Sequence, residues 1–87
     1  MTSRKVLVVD DDPEMRKLIR QMLATDRSAD FLVVEAATGT DCLKTADRSG
    51  PFDLILLDVI LPDMDGYSVC RAIRHADRNV PIVFVTG

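Results

Sequence analysis

The chain has 87 residues, of which 47% are hydrophobic and 29% charged, and its formal net charge is −3. This length allows one small domain, which we assign to residues 1–87, and the acidic balance argues against a nucleic-acid-binding surface on this segment. No apolar stretch approaches the ~20 residues of a membrane span, and the apolar run ahead of the first aspartates is too short for a signal-peptide core. We therefore expect a cytoplasmic protein without membrane contact.

The first two predicted elements are a strand and a helix. Residues 6–9 are apolar and mostly β-branched without polar alternation, which is typical of a strand covered on both faces. In residues 13–23 the apolar side chains recur on one helical face, at positions 15, 18, 19, 22 and 23. Asp12 and Pro13 suit the N-cap and the first turn of this helix.

The rest of the chain continues to alternate between strands and helices. Further strands are predicted at residues 31–36, 52–57 and 80–85, and further helices at 40–48 and 67–74. This alternation indicates βαβ units, and so an α/β fold with a doubly wound parallel sheet and helices on both faces. Cys42 and Cys70 fall on the helices without CxxC or Cys/His spacing, and we interpret them as reduced, half-buried apolar residues.

Carboxylates follow two of the predicted strands. Asp10 and Asp11 come directly after the first strand, and Asp58 ends the third apolar run. The carboxyl ends of parallel strands meet at one rim of the sheet, where open α/β folds bind their ligands. Carboxylates crowded in this way raise one another's pKa values or recruit a cation, and a site made only of oxygen ligands suits Mg²⁺. The sequence therefore predicts a Mg²⁺ site formed by Asp10, Asp11 and Asp58.

Asp58 is the residue that we expect to carry the chemistry. A carboxylate can attack a phosphoryl group and form an acyl phosphate, provided that positive charge from Mg²⁺ offsets the repulsion between two anions. Thr86, after the fourth strand, is placed to donate a hydrogen bond from its hydroxyl to a phosphate oxygen. Simpler interpretations suit other aspartates: Asp12 as a helix cap, and Asp63 and Asp65 as turn residues.

Four motifs, in order and over nearly the whole chain, resemble those of the receiver domain of two-component response regulators. They are VLVVDDDP at 6–13, DLILLD at 53–58, LPDMDG at 61–66 and PIVFVTG at 81–87. The resemblance implies a flavodoxin-like three-layer α/β/α fold with strand order 2-1-3-4. It also implies a phosphoacceptor signalling domain, not an enzyme, that receives its phosphoryl group from a histidine kinase or a phosphotransfer protein.

The resemblance also implies a role for each site residue. Asp58 matches the phosphoryl acceptor of the family. Asp11 matches the direct Mg²⁺ ligand, and Asp10 the residue that contacts the ion through water. The backbone carbonyl of Ile60, two residues beyond the acceptor, matches a further ligand. Thr86 matches the switch hydroxyl that moves toward the phosphoryl group.

The sequence departs from the family pattern after its fourth strand. A complete receiver has five βα units over about 120 residues, and the family's lysine at the end of the fifth strand has no counterpart here. We therefore expect a receiver domain that is incomplete at its C-terminus and impaired in phosphorylation. We also expect self-association, because residues 80–85 would form an uncharged edge strand with unpaired backbone groups.

Two other functions are open at this point. One is a receiver-like interaction module without phosphotransfer, which would fit the missing lysine. The other is a haloacid-dehalogenase-like phosphatase, a family that also opens with a strand and an Asp-x-Asp pattern. That pattern is followed closely by Thr or Val, whereas Asp12 here precedes Pro13 and Glu14. Labelling of Asp58 by acetyl phosphate would favour the receiver, and turnover of a phosphoester would favour the phosphatase.

Overall fold

Residues 3–85, the part described by the computed structural model, alternate between strands and helices. The strands are β1 (Ser3–Val9), β2 (Asp30–Ala36), β3 (Leu54–Asp58) and β4 (Ile82–Val85), and the helices are α1 (Pro13–Ala24), α2 (Gly39–Ser49) and α3 (Gly66–Ala76). All strands pair in parallel, in the order β2-β1-β3-β4. This confirms the predicted doubly wound sheet and its strand order. None of these helices is long and apolar enough to cross a bilayer.

The strand order distributes the helices over both faces of the sheet. The chain moves one way from β1 to β2 and the other way from β2 to β3 and β4, so right-handed crossovers put α1 on one face and α2 and α3 on the other. Leu7 and Val9 belong to the core beneath α2 and α3, while Val6 and Val8 alternate to the opposite face. All four are at most 1% exposed, which confirms that β1 is covered on both sides.

The main hydrophobic core lies between the sheet and the pair of helices α2 and α3. Its buried members are Leu7, Val9, Ala36, Cys42, Phe52, Ile55, Leu57, Leu61, Val69, Ile73 and Val80. Both cysteines are free, as predicted, and Cys70 is half-buried. Cys42 is completely buried instead of half-buried as expected, and this burial raises the pKa of its thiol to about 12.

Helix α1 begins where its sequence predicts. The carboxylate of Asp12 accepts a hydrogen bond from the backbone N–H of Glu14 at 2.9 Å, and Pro13 occupies the first turn. No residue of α1 is fully buried, and on its apolar face Leu18 is 49% and Met22 63% exposed. The helical spacing of apolar residues therefore predicts the extent of this helix but not the exposure of its apolar face.

Strands β3 and β4 begin later than their sequences predict. Phe52 is a buried core residue ahead of β3, and the ammonium of Lys5 lies 4.9 Å from the centre of its ring. The carboxylate of the next residue, Asp53, accepts a hydrogen bond from the backbone N–H of Lys5 at 2.7 Å. Val80 is likewise buried ahead of β4, and Pro81 has no N–H to donate to a ladder. Buried apolar residues just ahead of a strand thus look like part of the strand in the sequence, and this is why the predicted strands start too early.

Candidate functional site

Three carboxylates converge at the C-terminal rim of the sheet. Asp10 follows β1, Asp11 begins the turn into α1, and Asp58 is the last residue of β3. One side-chain oxygen from each lies within 4.8 Å of the others. The pairing of Val9 with Leu57 in neighbouring parallel strands explains this convergence, because both strands end at the same level.

The three carboxylates differ in their exposure to solvent. Asp10 is only 6% exposed, whereas Asp58 is half-buried and Asp11 is exposed. Burial raises the pKa of Asp10, and the negative charges of Asp58 and Asp11 add to that rise. A hydrogen bond of 2.9 Å from the backbone N–H of Asp12 to Oδ1 of Asp10 partly offsets this rise in pKa. A cluster made only of carboxylate oxygens, with one of them shielded from water, suits a hard cation such as Mg²⁺.

Arg16 supports the β1 side of this cluster from helix α1. Its guanidinium donates one hydrogen bond to the backbone carbonyl of Asp10 at 2.7 Å, and its Nε donates another to the carboxylate of Glu35 at 3.0 Å. Arg20 donates to the other carboxylate oxygen of Glu35. The bonds from Arg20 and Arg16 lower the pKa of Glu35. The end of β1 is therefore tied to both α1 and β2.

The loop between β3 and α3 folds back beside Asp58. The backbone N–H of Ile60 donates a hydrogen bond to the carboxylate of Asp58 at 3.1 Å, and Ile60 forms an isolated antiparallel bridge with Asp65. The N–H of Gly66 donates to the carbonyl of Val59 at 2.7 Å. Because the Ile60 side chain is 77% exposed, this residue contributes to the loop through its backbone.

The predicted site residues within 3–85 lie at this rim of the sheet: Asp10, Asp11, Asp58 and Ile60. Thr86 lies outside the described residues, so its hydroxyl contact stays a prediction. Asp12 caps α1, as predicted. Asp65 is more than a turn residue, because its carboxylate caps α3 by accepting the N–H of Ser68 at 2.8 Å.

Asp63 makes contacts that the sequence did not predict. Its carboxylate accepts hydrogen bonds from the backbone N–H groups of Gly39 and Thr40, at 2.8 and 2.9 Å, and from the Thr40 hydroxyl at 2.6 Å. These bonds, chiefly the one from the hydroxyl, lower the pKa of Asp63 to about 2. Its partners lie 23 and 24 residues earlier in the chain. An aspartate in a loop between Pro and Gly has a local interpretation as a turn residue, and no local signal indicates the distant contact.

Known proteins resemble this chain along almost all of its length. The family model of the response regulator receiver domain matches residues 6–87. The alkaline phosphatase synthesis transcriptional regulatory protein PhoP of Bacillus subtilis is 39% identical over 85 residues, and the DNA-binding response regulator MtrA of Mycolicibacterium smegmatis is 42% identical over 84 residues. The alignments cover 98% and 97% of this chain but 34% and 35% of these relatives. The chain thus spans about a third of the length of the curated relatives it matches.

A solved structure with the same fold is the response regulator protein TrrA from Thermotoga maritima in complex with Mg²⁺–BeF. It has a TM-score of 0.86 and 31% sequence identity, and the match covers 95% of this chain and 69% of that one. The sheet order, the acidic cluster at its rim and the match to the family model point to one assignment. The chain belongs to the response regulator receiver domain family.

Proposed function

We propose that this chain is a phosphoacceptor domain of a two-component system, and that Asp58 receives a phosphoryl group from a histidine kinase or a phosphotransfer protein. The observation that carries the proposal is the position of Asp58 at the end of β3, with a carboxylate oxygen within 4.8 Å of oxygens from Asp10 and Asp11. The domain would act as a signalling element, not as an enzyme. Its membership of the receiver family leaves the haloacid-dehalogenase-like alternative without support.

The same cluster supports a Mg²⁺ site. Its ligands would be the carboxylates of Asp10, Asp11 and Asp58 and the backbone carbonyl of Ile60, an oxygen-only set of the kind that Mg²⁺ prefers. Exposed Asp11 is suited to direct coordination, and buried Asp10, with one oxygen bonded to the N–H of Asp12, to contact through water. A bound Mg²⁺ would supply positive charge to offset the repulsion between the acceptor carboxylate and a phosphoryl group.

Other groups of the chain would orient the acceptor carboxylate and contact the transferred phosphoryl group. Oδ1 of Asp58 accepts the N–H of Ile60, which orients the carboxylate and leaves the other oxygen to attack phosphorus. An O–P bond to Asp58 forms as the N–P bond of the donor's phosphohistidine breaks, and the imidazole leaves neutral when its other nitrogen carries a proton. The hydroxyl of Thr86 would then donate to a phosphoryl oxygen.

Acetyl phosphate labelling in the presence of Mg²⁺, read by intact-mass spectrometry, tests this function. We expect the wild-type chain to gain one phosphoryl group, and Asp58→Ala and Asp58→Asn to gain none. Asp53→Asn is the matched control, because Asp53 directly precedes β3 at the end opposite Asp58, and its carboxylate accepts the backbone N–H of Lys5. Equal labelling of Asp58→Ala would contradict the assignment of Asp58. No labelling of the wild type would favour a receiver-like interaction module without phosphotransfer.

Self-association through β4 is part of the proposal for the 87-residue chain. Within residues 3–85 the outer edge of β4 pairs with no strand, and Val83 and Phe84 are 50% and 37% exposed. An exposed apolar edge without charge is a template for pairing with another chain. Sedimentation equilibrium at micromolar concentration should show a dimer or larger species, which Val83→Lys should dissociate. A well-folded wild-type monomer would contradict this expectation.

We propose that the segment itself contacts neither nucleic acid nor membrane, and that it acts in the cytoplasm. Its net charge of −3 offers no basic surface for nucleic acid. PhoP and MtrA are named as transcriptional and DNA-binding regulators, and this chain covers about a third of their length. In a longer protein of this kind, we expect DNA binding to come from residues outside this segment.

A further inference from the structure

One carboxylate fastens the β3–α3 loop to the first turn of α2. The first N–H groups of a helix have no partner within the helix itself. In α2 the N–H groups of Gly39 and Thr40 donate to Asp63, and the next one, from Asp41, donates to the hydroxyl oxygen of Thr38 at 3.0 Å. The cap of α2 is therefore divided between a local residue, Thr38, and Asp63 in a distant loop.

Apolar packing at the next residue strengthens this attachment. Met64 is half-buried and packs against the main core. A Cβ added at Gly39 would lie 2.7 Å from Sδ of Met64 and 3.0 Å from Cγ2 of Val69, so the absence of a side chain at position 39 lets Met64 pack this closely against α2. Asp63 and Met64 thus hold the loop against α2 by a polar and an apolar contact side by side.

The loop held in this way is the one that carries Ile60. It leaves the sheet at Asp58, is braced by the bridge between Ile60 and Asp65, and ends where Gly66 begins α3. Groups that orient metal ligands from behind strongly affect metal affinity. We infer that Asp63 is a positioning residue of the metal site, because it holds the Ile60 backbone in place relative to Asp58 by tying the loop to α2. This inference rests on the proposed Mg²⁺ site.

A Mg²⁺ titration followed by amide NMR signals tests the inference on the 87-residue chain. We expect Asp63→Ala to weaken Mg²⁺ binding about tenfold, the lower end of the effect of removing a supporting group. Asp63→Asn should be intermediate, because its amide oxygen still accepts a hydrogen bond from α2. Thr38→Ala is the matched control: it removes the local cap of the same helix but leaves the loop attached, and its Mg²⁺ affinity should equal that of the wild type.

Wild-type affinity in Asp63→Ala would overturn the inference, and so would an equal loss in Thr38→Ala, which would assign the effect to fraying of α2. If circular dichroism shows that Asp63→Ala does not fold, the comparison of Asp63→Asn with Thr38→Ala decides.

A wild type that binds Mg²⁺ but takes up no phosphoryl group contradicts the proposed function alone. A labelled wild type with unchanged affinity in Asp63→Ala contradicts this inference alone, and a wild type that binds no Mg²⁺ overturns both the metal site and the inference.

Discussion

Gly66 packs directly against the backbone of Asp58. A Cβ at position 66 would collide with the carbonyl oxygen of Asp58 and lie 2.8 Å from Cα of Val59. The N–H of Gly66 also donates to the carbonyl of Val59 at 2.7 Å, so the start of α3 and the end of β3 meet backbone to backbone. The absence of a side chain at Gly66 therefore sets how closely α3 approaches the end of β3.

Gly66→Ala should lower the free energy of unfolding by about 1–3 kcal/mol, the usual cost of overpacking where the neighbours cannot yield. The better helix propensity of alanine would offset up to about 1 kcal/mol of this cost. Urea unfolding followed by circular dichroism measures the change. Ala72→Ser, at an exposed position of the same helix, is the control for a small addition of volume. A Gly66→Ala variant as stable as the wild type would show that the backbone relaxes freely here.

Mg²⁺ binding should depend on Asp11 far more than on Asp12. Asp11 belongs to the cluster of three carboxylates, whereas Asp12 accepts the N–H of Glu14 as the cap of α1. Because asparagine also caps helices well, Asp12→Asn removes one charge from the same turn while preserving the fold. We expect Asp11→Asn to weaken binding by at least about tenfold, since even supporting groups have effects of that size. A metal titration that gives both variants equal affinity would refute this division of roles.

Asp10→Asn should stabilise the metal-free protein. Burial raises the pKa of Asp10, so its ionised form destabilises the folded state above that pKa, and the cost disappears as the pH falls below it. Asparagine removes the charge but keeps the oxygen that accepts the N–H of Asp12. A gain of about 1 kcal/mol, a common size for one substitution, would raise the melting temperature by about 4–8 °C.

Adding Mg²⁺ should reduce or reverse the advantage of Asp10→Asn, because a ligand stabilises most the variant that binds it most tightly. Thermal melts of Asp10→Asn and the wild type, with and without Mg²⁺, measure both effects. A lower melting temperature for Asp10→Asn in the absence of metal would contradict the prediction.

The stability that Asp63 confers should be lost in acid. Its pKa is about 2 in the folded protein, compared with an ordinary value of 3.8. Because the folded pKa is depressed, the stabilisation is fully present above pH 3.8 and is lost as the pH falls through about 2. Asp63→Asn does not titrate there, so the difference in melting temperature between wild type and variant should shrink over this range. If the difference in melting temperature between wild type and Asp63→Asn stays constant from neutral pH to about pH 2, the predicted acid loss of this stabilisation is wrong.

Helices and strands marked by neighbouring residues in the sequence were predicted close to their observed bounds. Helix α1 was placed correctly because Asp12 and Pro13 are adjacent start signals and its apolar residues follow one period. Strand β1 extends further back than predicted, to Ser3, because polar Arg4 and Lys5 also pair with β2. Polar side chains at the end of a strand give no signal in a search for apolar runs.

Features that depend on distant parts of the chain were only partly predictable. The convergence of Asp10 and Asp58 followed from two strand ends that share a rim. The contact of Asp63 with Gly39 and Thr40 did not follow, because it depends on how the β3–α3 loop packs against another helix. The exposure of Leu18 likewise depends on what covers α1, and helical periodicity carries no information about that.

The burial of Cys42 provides the protein with an internal chemical reporter. A thiol with no exposed surface and a pKa of about 12 reacts with an alkylating reagent only while the core around it is open. Cys70→Ser removes the other free thiol. In that variant, the alkylation rate of Cys42 therefore measures how often α2 separates from the sheet. Alkylation rates measured with and without Mg²⁺ would show whether a metal ion bound at the Asp10, Asp11 and Asp58 cluster makes the core around Cys42 open less often.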